Sequence, residues 1–233
     1  MSAIKHLGII MDGNRRWAKN SGFSSLQGHD KGADVFVDTC DWCIQEGIDY
    51  LTVYAFSTEN WKRPQMEVLH IFGLLERFFR EKISLCLERG ISIRVIGERN
   101  RFDRKTLEII DNAEAQTRAC NNLSVQIALS YGGRDEIVRA VKKLASDLAA
   151  NKRAIESISE DVFSAYLDTA GIPDVDLVIR TGGSENRRLS NFLPWQTVYA
   201  ELYFSDLLWP DFSKDEFEKS IAYYNAVTRK HGK

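Results

Sequence analysis

Chemistry-bearing residues fall in short polar stretches that each follow an apolar run. Leu7–Met11 leads directly into Asp12-Gly13-Asn14-Arg15-Arg16. This places a carboxylate beside a glycine, an amide and two guanidinium groups. Glycine lets a ligand approach the backbone closely. Arginine forks and helix starts both suit phosphate. A carboxylate among phosphate-binding groups points to a divalent cation, because the anions otherwise repel. Mg²⁺ commonly takes one or two carboxylates and completes its shell with phosphate oxygens. Taken alone, the stretch also reads as an aspartate helix cap with solvated arginines.

A second cluster follows Leu177–Ile179, with Arg180, Gly182-Gly183, Arg187-Arg188 and Ser190. It reads as a phosphate clamp or, by itself, as a solvated loop. Arg16, Arg180 and Arg188 together could hold two diphosphates. His29, in Gly28-His29-Asp30-Lys31-Gly32, sits at an expected helix start, as a phosphate donor or a polar helix-start residue. His70 reads as a helix-face residue and His231 as part of the tail. No G-x-x-x-x-G-K-S/T loop occurs, no G-x-G-x-x-G follows the first apolar run, and no G-x-S-x-G elbow is present.

The elements that must hold these stretches alternate between two periods. Strand-like runs occur at Leu7–Met11, Tyr50–Phe56, Ile91–Ile96, Leu123–Leu129, Leu177–Ile179 and Ala200–Phe204. Helical spacing occupies Lys31–Gln45, Glu67–Glu88, Arg104–Arg118, Asp135–Ala149, Ser159–Asp168 and Lys214–Thr228. Such alternation predicts an α/β fold, a parallel sheet covered by helices on both faces, in a single domain over residues 1–233. Ligands of such sheets bind beyond the carboxyl ends of the strands, where the polar stretches lie. Segment Glu67–Glu88 is too apolar for one narrow stripe, so it is expected to be widely buried or to line an apolar cavity.

The 31 basic and 33 acidic residues nearly cancel, which argues against a dedicated nucleic-acid binder. No apolar run approaches the roughly 18 residues of a membrane span, and Met1–His6 shows no signal-peptide core. A cytoplasmic location is expected. Cys40 and Cys43 form a C-x-x-C in mid-helix, without zinc spacing to Cys86 or Cys120, and read as buried free thiols.

The blocks His6–Lys19, Tyr54–Pro64, Tyr131–Arg134, Val175–Gly183, Ser190–Gln196, Glu201–Phe204 and Trp209–Phe212 resemble, in order, those of the cis-prenyltransferases, whose best-known members are undecaprenyl diphosphate synthases. The resemblance implies a homodimer, each subunit a parallel sheet of about six strands with an apolar tunnel between sheet and helices. It implies Mg²⁺-dependent addition of isopentenyl diphosphate to an allylic diphosphate (dimethylallyl, geranyl or farnesyl), with a Z double bond formed and no nucleic-acid partner. A long product would bring peripheral membrane contact.

By the resemblance, Asp12 binds metal, Asn14, Arg16 and His29 surround the allylic diphosphate, and Gly13, Arg15 and Trp17 bind substrate. Ser57, Asn60 and Trp61 belong to a flexible catalytic segment, with Asn60 counted as catalytic beside Asp12, and Arg63 binds substrate. Arg180, Arg188 and Ser190 clamp isopentenyl diphosphate, and Glu201 is a dimer-interface glutamate that helps position the metal. The proton acceptor stays open between the departing diphosphate and a relay through Asn60 and Ser57. Three departures stand out: Ser25 where an arginine is usual, a lengthened loop Gly183–Ser190, and bulk at Leu129 and Phe79 that contrasts with the small Ala55. They leave open a short-chain or irregular (head-to-middle, lavandulyl-type) synthase on the same fold. A non-catalytic partner subunit is the rival of another class.

Overall fold

The computed structural model describes residues 4–184 and 186–227. His231 and the end of the expected last helix, Thr228, lie outside the described residues. The elements run β1 (His6–Ile10), α1 (Asn14–Asn20), α2 (Ser25–Glu46), β2 (Tyr50–Ser57), α3 (Gln65–Arg89), β3 (Ile91–Ile96) and α4 (Arg104–Thr117). Then follow β4 (Leu123–Tyr131), α5 (Gly133–Ala149), α6 (Glu160–Ser164), β5 (Leu177–Arg180), β6 (Glu201–Phe204) and α7 (Lys214–Ala226). Short 3₁₀ turns join several of them, among them Thr58–Lys62 after β2.

All six strands form one parallel sheet in the order β3-β4-β2-β1-β5-β6. After β1 the chain turns one way, through α1 and α2 to β2. After β5 it turns the other way, to β6. The loops leaving β1 and β5 therefore diverge and open a crevice at their carboxyl ends. Asp12 and Arg180 sit at that point.

One face of the sheet packs Leu7, Ile9, Val53, Val125, Ile127 and Leu129 against the apolar sides of α2, α3, α4 and α7. The other buries Ile10, Ala128, Tyr131, Val178 and Phe192. Strict alternation would put Tyr131 on the face of Leu129. Ser130, with φ +49°, and a shift in register opposite Phe56 and Ser57 turn Tyr131 to the other side. There its hydroxyl donates to buried Glu136 at 2.6 Å.

Two helices differ from expectation. α2 begins at Ser25 rather than Lys31, because Ser24 and Gln27 form a reciprocal capping box. Gly28 and Gly32 make that stretch look like a loop, yet both are helical and buried. The expected helix Ser159–Asp168 shrinks to Glu160–Ser164. The backbone N–H of Asp168 goes instead to Glu136 at 2.9 Å, and the Asp168 carboxylate grips Arg139 at 2.6 and 2.8 Å.

His6, fully buried, sets a pH limit on stability. Its Nδ1 lies 2.7 Å from the Pro173 carbonyl and its Nε2 lies 2.8 Å from the Thr52 hydroxyl. Burial lowers its pKa from 6.5 to about 4. The unfolded chain then binds the proton first, so this contribution is full above pH 6.5 and is lost as pH falls toward 4. The loss is worth about 3 kcal/mol. Urea midpoints at pH 7 and pH 4.5 should diverge in the native chain and diverge less in His6→Gln. Equal slopes in the two proteins would show that His6 does not carry it.

Candidate active site

A cavity of about 1200 Å³ opens where β1, β2 and β5 end. Its mouth is polar and its depth is apolar. Asp12 follows β1 directly and is fixed by Thr181, whose hydroxyl donates to the Asp12 carbonyl at 2.8 Å. The Asp12 carboxylate accepts from Arg180 Nη2 at 2.8 Å and from Arg16 Nη2 at 3.2 Å. Arg180 is 5% exposed, and its Nη1 reaches the Ser190 hydroxyl at 2.7 Å and the backbone carbonyl of Arg188. Arg180 thus ties the first polar stretch to the loop after β5.

That packing depends on Gly182, whose φ is +118°. A Cβ there would lie 2.9 Å from both Arg16 Nη2 and the Asp12 side chain. Gly182→Ala is expected to displace Asp12 and Arg16, lowering stability by about 1–3 kcal/mol through the strained backbone. Turnover should fall at least roughly tenfold, since a misplaced catalytic group loses that much or more. Denaturant midpoints and steady-state kinetics on the same preparation check both effects.

Several polar atoms at the mouth are buried without a partner: Asn14 Oδ1, Ser25 Oγ, His29 Nε2 and Arg180 Nε. Such atoms are costly to leave unpaired, and four converging on one cavity mark the seat of a polar ligand. Asn14 is held by the close approach of α2; a Cβ at Gly32 would come within 2.5 Å of its Oδ1. His29 is pushed down to a pKa of about 4 by burial and by the Arg63 guanidinium beside it. Its imidazole is therefore neutral near pH 7. Arg63 and Arg15 both face Glu67, at 3.1 and 3.7 Å.

Ser57 closes β2 and caps the 3₁₀ turn that follows. Its N–H donates to Asn60 Oδ1 at 3.1 Å, and its side chain accepts from the Asn60 backbone. Ser57, Asn60 and Arg63 line the cavity with Asp12, Gly13, Asn14, Arg15, Arg16, His29, Arg180 and Ser190.

Four expected residues are not brought to the cavity wall. The Trp17 indole donates to Asp211 at 2.6 Å and stacks on Phe23. Trp61 packs between Phe56 and Phe72 and donates to Ser130 at 2.9 Å. Arg188 offers its carbonyl to Arg180 while its exposed side chain points to Asn186. Glu201 opens β6 and pairs in register with Leu177, three residues before Arg180. At about 3.3 Å per residue it lies roughly 10 Å down the sheet from the end occupied by Asp12.

Two residues of the site escaped the sequence reading. Asn191, with φ +67°, donates to Glu59 at 3.2 Å and accepts from the Arg134 N–H at 2.9 Å. It joins the β2 loop to the loop after β5. Tyr54 donates to the carbonyl of Tyr131 at 3.1 Å and reaches that of Ser190 at 3.5 Å. Each lay inside a recognisable block, but nothing in residue type or spacing marked it as a link between loops.

The apolar depth is walled by Ile71, Leu74, Leu75 and Phe78 of α3, facing Ile127 and Leu129 of β4. Of the two outcomes that the apolar composition of α3 left open, wide burial or the lining of an apolar cavity, α3 shows the second. Phe79, whose bulk stands out in the sequence, is 3% exposed in the core and outside the lining. Its neighbour Phe78 lines the cavity, because adjacent helical residues point about 100° apart.

The family profile described as putative undecaprenyl diphosphate synthase matches residues 10–232. An isoprenyl transferase of Aquifex aeolicus is 43% identical over 229 residues, 98% of this chain and 96% of the relative. One of Chlamydia trachomatis is 42% identical over 236 residues, 100% and 92% of the two chains. Among solved structures, lavandulyl diphosphate synthase from Lavandula x intermedia, in complex with dimethylallyl diphosphate, superposes with a TM-score of 0.94 at 32% identity. It covers 99% of this chain and 98% of its own. A probable undecaprenyl diphosphate synthase from Campylobacter jejuni gives a TM-score of 0.82 at 37% identity, covering 100% of both chains. With a parallel sheet, an arginine-lined mouth and an apolar depth behind it, the chain belongs to the undecaprenyl diphosphate synthase family of prenyltransferases.

Proposed function

We propose that the protein is a Mg²⁺-dependent cis-prenyltransferase acting as a homodimer. It condenses isopentenyl diphosphate with a dimethylallyl, geranyl or farnesyl diphosphate to give a longer Z-prenyl diphosphate. The observation that carries this reading is one cavity whose mouth holds Asp12, Arg16 and Arg180 and whose depth is apolar. A diphosphate head fits the first part and a hydrocarbon tail the second.

Asn14, Arg16 and His29 bind the allylic diphosphate and stabilise the charge that grows as its C–O bond breaks. Neutral His29 serves as a hydrogen-bond donor there, with its unpartnered Nε2 available. Arg180 and Ser190 hold the second diphosphate, which places the double bond of isopentenyl diphosphate beside the allylic carbon. A carbon–carbon bond forms, and the resulting cation loses a proton to the departing diphosphate or through Asn60 and Ser57. The apolar walls keep water from the cation.

Asp12 suits a cation that arrives with the substrate. Among the described residues no group of three His, Cys, Asp or Glu side chains could hold a metal alone. A single carboxylate completed by phosphate oxygens and water is an ordinary Mg²⁺ arrangement. When bound, Mg²⁺ would add positive charge to the leaving group. Glu201 lies too far down the sheet to share that ion within one subunit, so its proposed role requires the second subunit. No helix among the described residues is long and apolar enough to cross a membrane.

A second reading, irregular coupling, is favoured by the likeness to lavandulyl diphosphate synthase and by Ser25 at the mouth. Intact Asp12, Arg16 and Arg180 speak against a non-catalytic subunit. Incubation with labelled isopentenyl diphosphate and each allylic primer, followed by mass analysis, tests the proposal. Products growing by one isoprene unit per isopentenyl diphosphate support it. Product from dimethylallyl diphosphate alone would favour irregular coupling, and no product from any mixture would overturn catalysis.

A further inference from the structure

Ser190 and Asn191, in the loop after β5, both sit in the left-handed region, with φ of +50° and +67°. Two successive residues other than glycine in that region need bonds to hold them there. For Asn191 those bonds come from α5. The first two N–H groups of that helix, those of Gly133 and Arg134, donate to the Asn191 carbonyl at 2.8 Å and to its Oδ1 at 2.9 Å. The residue before the helix, Gly132, has no side chain to cap it. Asn191 therefore satisfies the exposed start of α5 from a distant part of the chain.

This cap fixes the Asn191 amide. With Oδ1 facing an N–H, Nδ2 points the other way and donates to Glu59 Oε1 at 3.2 Å. Glu59 Oε2 accepts from the Thr58 hydroxyl at 3.2 Å. The segments meet closely at Gly132, where a Cβ would lie 2.6 Å from Thr58 Oγ1 and 2.8 Å from Asn191 Nδ2. Burial pushes the Glu59 carboxyl up, but its own backbone N–H and bonds from Ser57, Asn191 and Thr58 outweigh that and hold it below the usual carboxylate range. It is therefore ionised near pH 7.

Glu59 and Asn191 both line the large cavity. Glu59 lies in the turn whose ends, Ser57 and Asn60, bond to each other at 3.1 Å. Asn191 follows Ser190, which Arg180 holds at 2.7 Å. A carboxylate on the wall of a cavity for two diphosphates repels both of them. Its contact with Asn191 gives that charge a use.

We infer that Asn191 and Glu59 form a clasp that couples the two diphosphate seats. Isopentenyl diphosphate at Arg180 and Ser190 steadies Asn191, and Asn191, through Glu59, steadies the turn that carries Ser57 and Asn60. Both are positioning residues. This rests on the prenyltransferase reading.

The test compares native enzyme with Asn191→Asp, Glu59→Gln, the double variant and Glu59→Ala. Asn191→Asp keeps the acceptors that α5 needs and tolerates the same φ, but it sets a second carboxylate against Glu59. Its kcat should fall at least roughly tenfold, with an unfolding midpoint close to native. Glu59→Gln keeps an acceptor oxygen and should lose less. In the double variant the new amide at position 59 can donate to the new carboxylate at position 191. The bond re-forms in the reverse direction, and most of the loss should be recovered. A residue that only caps α5 would show neither the loss nor the recovery. Native kcat in Asn191→Asp overturns the clasp, as does a folded double variant no better than Asn191→Asp.

Glu59→Ala separates the clasp from repulsion. It takes a negative charge out of the cavity and leaves α5 untouched, so relief of repulsion alone predicts native or better kinetics, which would overturn the proposal. Loss of the clasp predicts the defect of Asn191→Asp. Coupling is read by calorimetry of isopentenyl diphosphate binding, alone and with an unreactive thiolo analogue of farnesyl diphosphate. The analogue should tighten binding several-fold in the native protein and much less in Asn191→Asp and Glu59→Ala. Equal tightening in all three, or none in the native protein, overturns the coupling and leaves the prenyltransferase reading intact. A native protein that neither condenses nor binds either diphosphate overturns that reading, and the clasp with it.

Discussion

Asp12→Asn should lower kcat by roughly 10²-fold or more at saturating substrate and Mg²⁺, with little change in fold. The Asp12 carboxylate stands between Arg16 and Arg180 at the carboxyl end of β1. Asparagine keeps the size and one acceptor oxygen but removes the charge. The loss should appear in kcat rather than in isopentenyl diphosphate KM, because charge stabilisation of the leaving group is felt in the transition state. Asp12→Ala should show the same kinetic defect and also lower stability. It strips buried Arg180 of its carboxylate, and a hydrogen bond to a charged group is worth about 1.5–3 kcal/mol. Near-native turnover in Asp12→Asn would falsify the role.

Arg180→Ala should raise the KM for isopentenyl diphosphate by roughly 10–100-fold, the value of one charge-assisted hydrogen bond. The KM for the allylic substrate should move much less. Arg180 holds Ser190 and the Arg188 carbonyl, so its removal loosens the loop as well as the direct contact. Arg180→Lys should rescue little, because a point ammonium cannot span Asp12 and Ser190 as a planar fork does. Initial-rate kinetics with each substrate varied in turn decide the matter. Equal rises for both substrates would remove the assignment of separate diphosphate sites. Arg187→Ala and Arg188→Ala, measured beside it, show which side chain of the lengthened loop swings in.

The sheet was legible in the sequence because parallel strands buried on both faces are nearly continuous apolar runs. Ile91–Ile96 matches in full, and the other runs differ by a residue or two at their ends. The start of α2 was not legible. Gly28 and Gly32 mimic a loop, and only the packing of α1 against that helix shows why glycine stands there. Asp12, Arg16 and Arg180 could be selected from their place after strands. Their contacts could not, since the pairs are set by a strand order in which β1 neighbours β5. Phe78 and Phe79 are equivalent in an apolar segment, and helix rotation alone separates cavity wall from core. Trp17 and Trp61 look available as sequence, but each finds an indole N–H partner and an aromatic neighbour away from the cavity.

The central position of β1 bears on how the protein is made. Its flank facing β5 pairs Leu7 with Leu177 and Ile10 with Arg180. At a synthesis rate of about 5–20 residues per second, roughly ten to thirty seconds separate the emergence of the two strands. During that interval β1 can pair with β2, but its other flank carries unmatched N–H and C=O groups on a strand that is buried throughout in the folded protein. Such an edge is an invitation to a wrong neighbour. Pairing across so long a stretch of chain is also intrinsically slow. The nascent protein should therefore depend on chaperones until β5 is released. Ribosome-stalled chains ending before residue 177 should aggregate or bind a holdase, and chains extended past β6 should not.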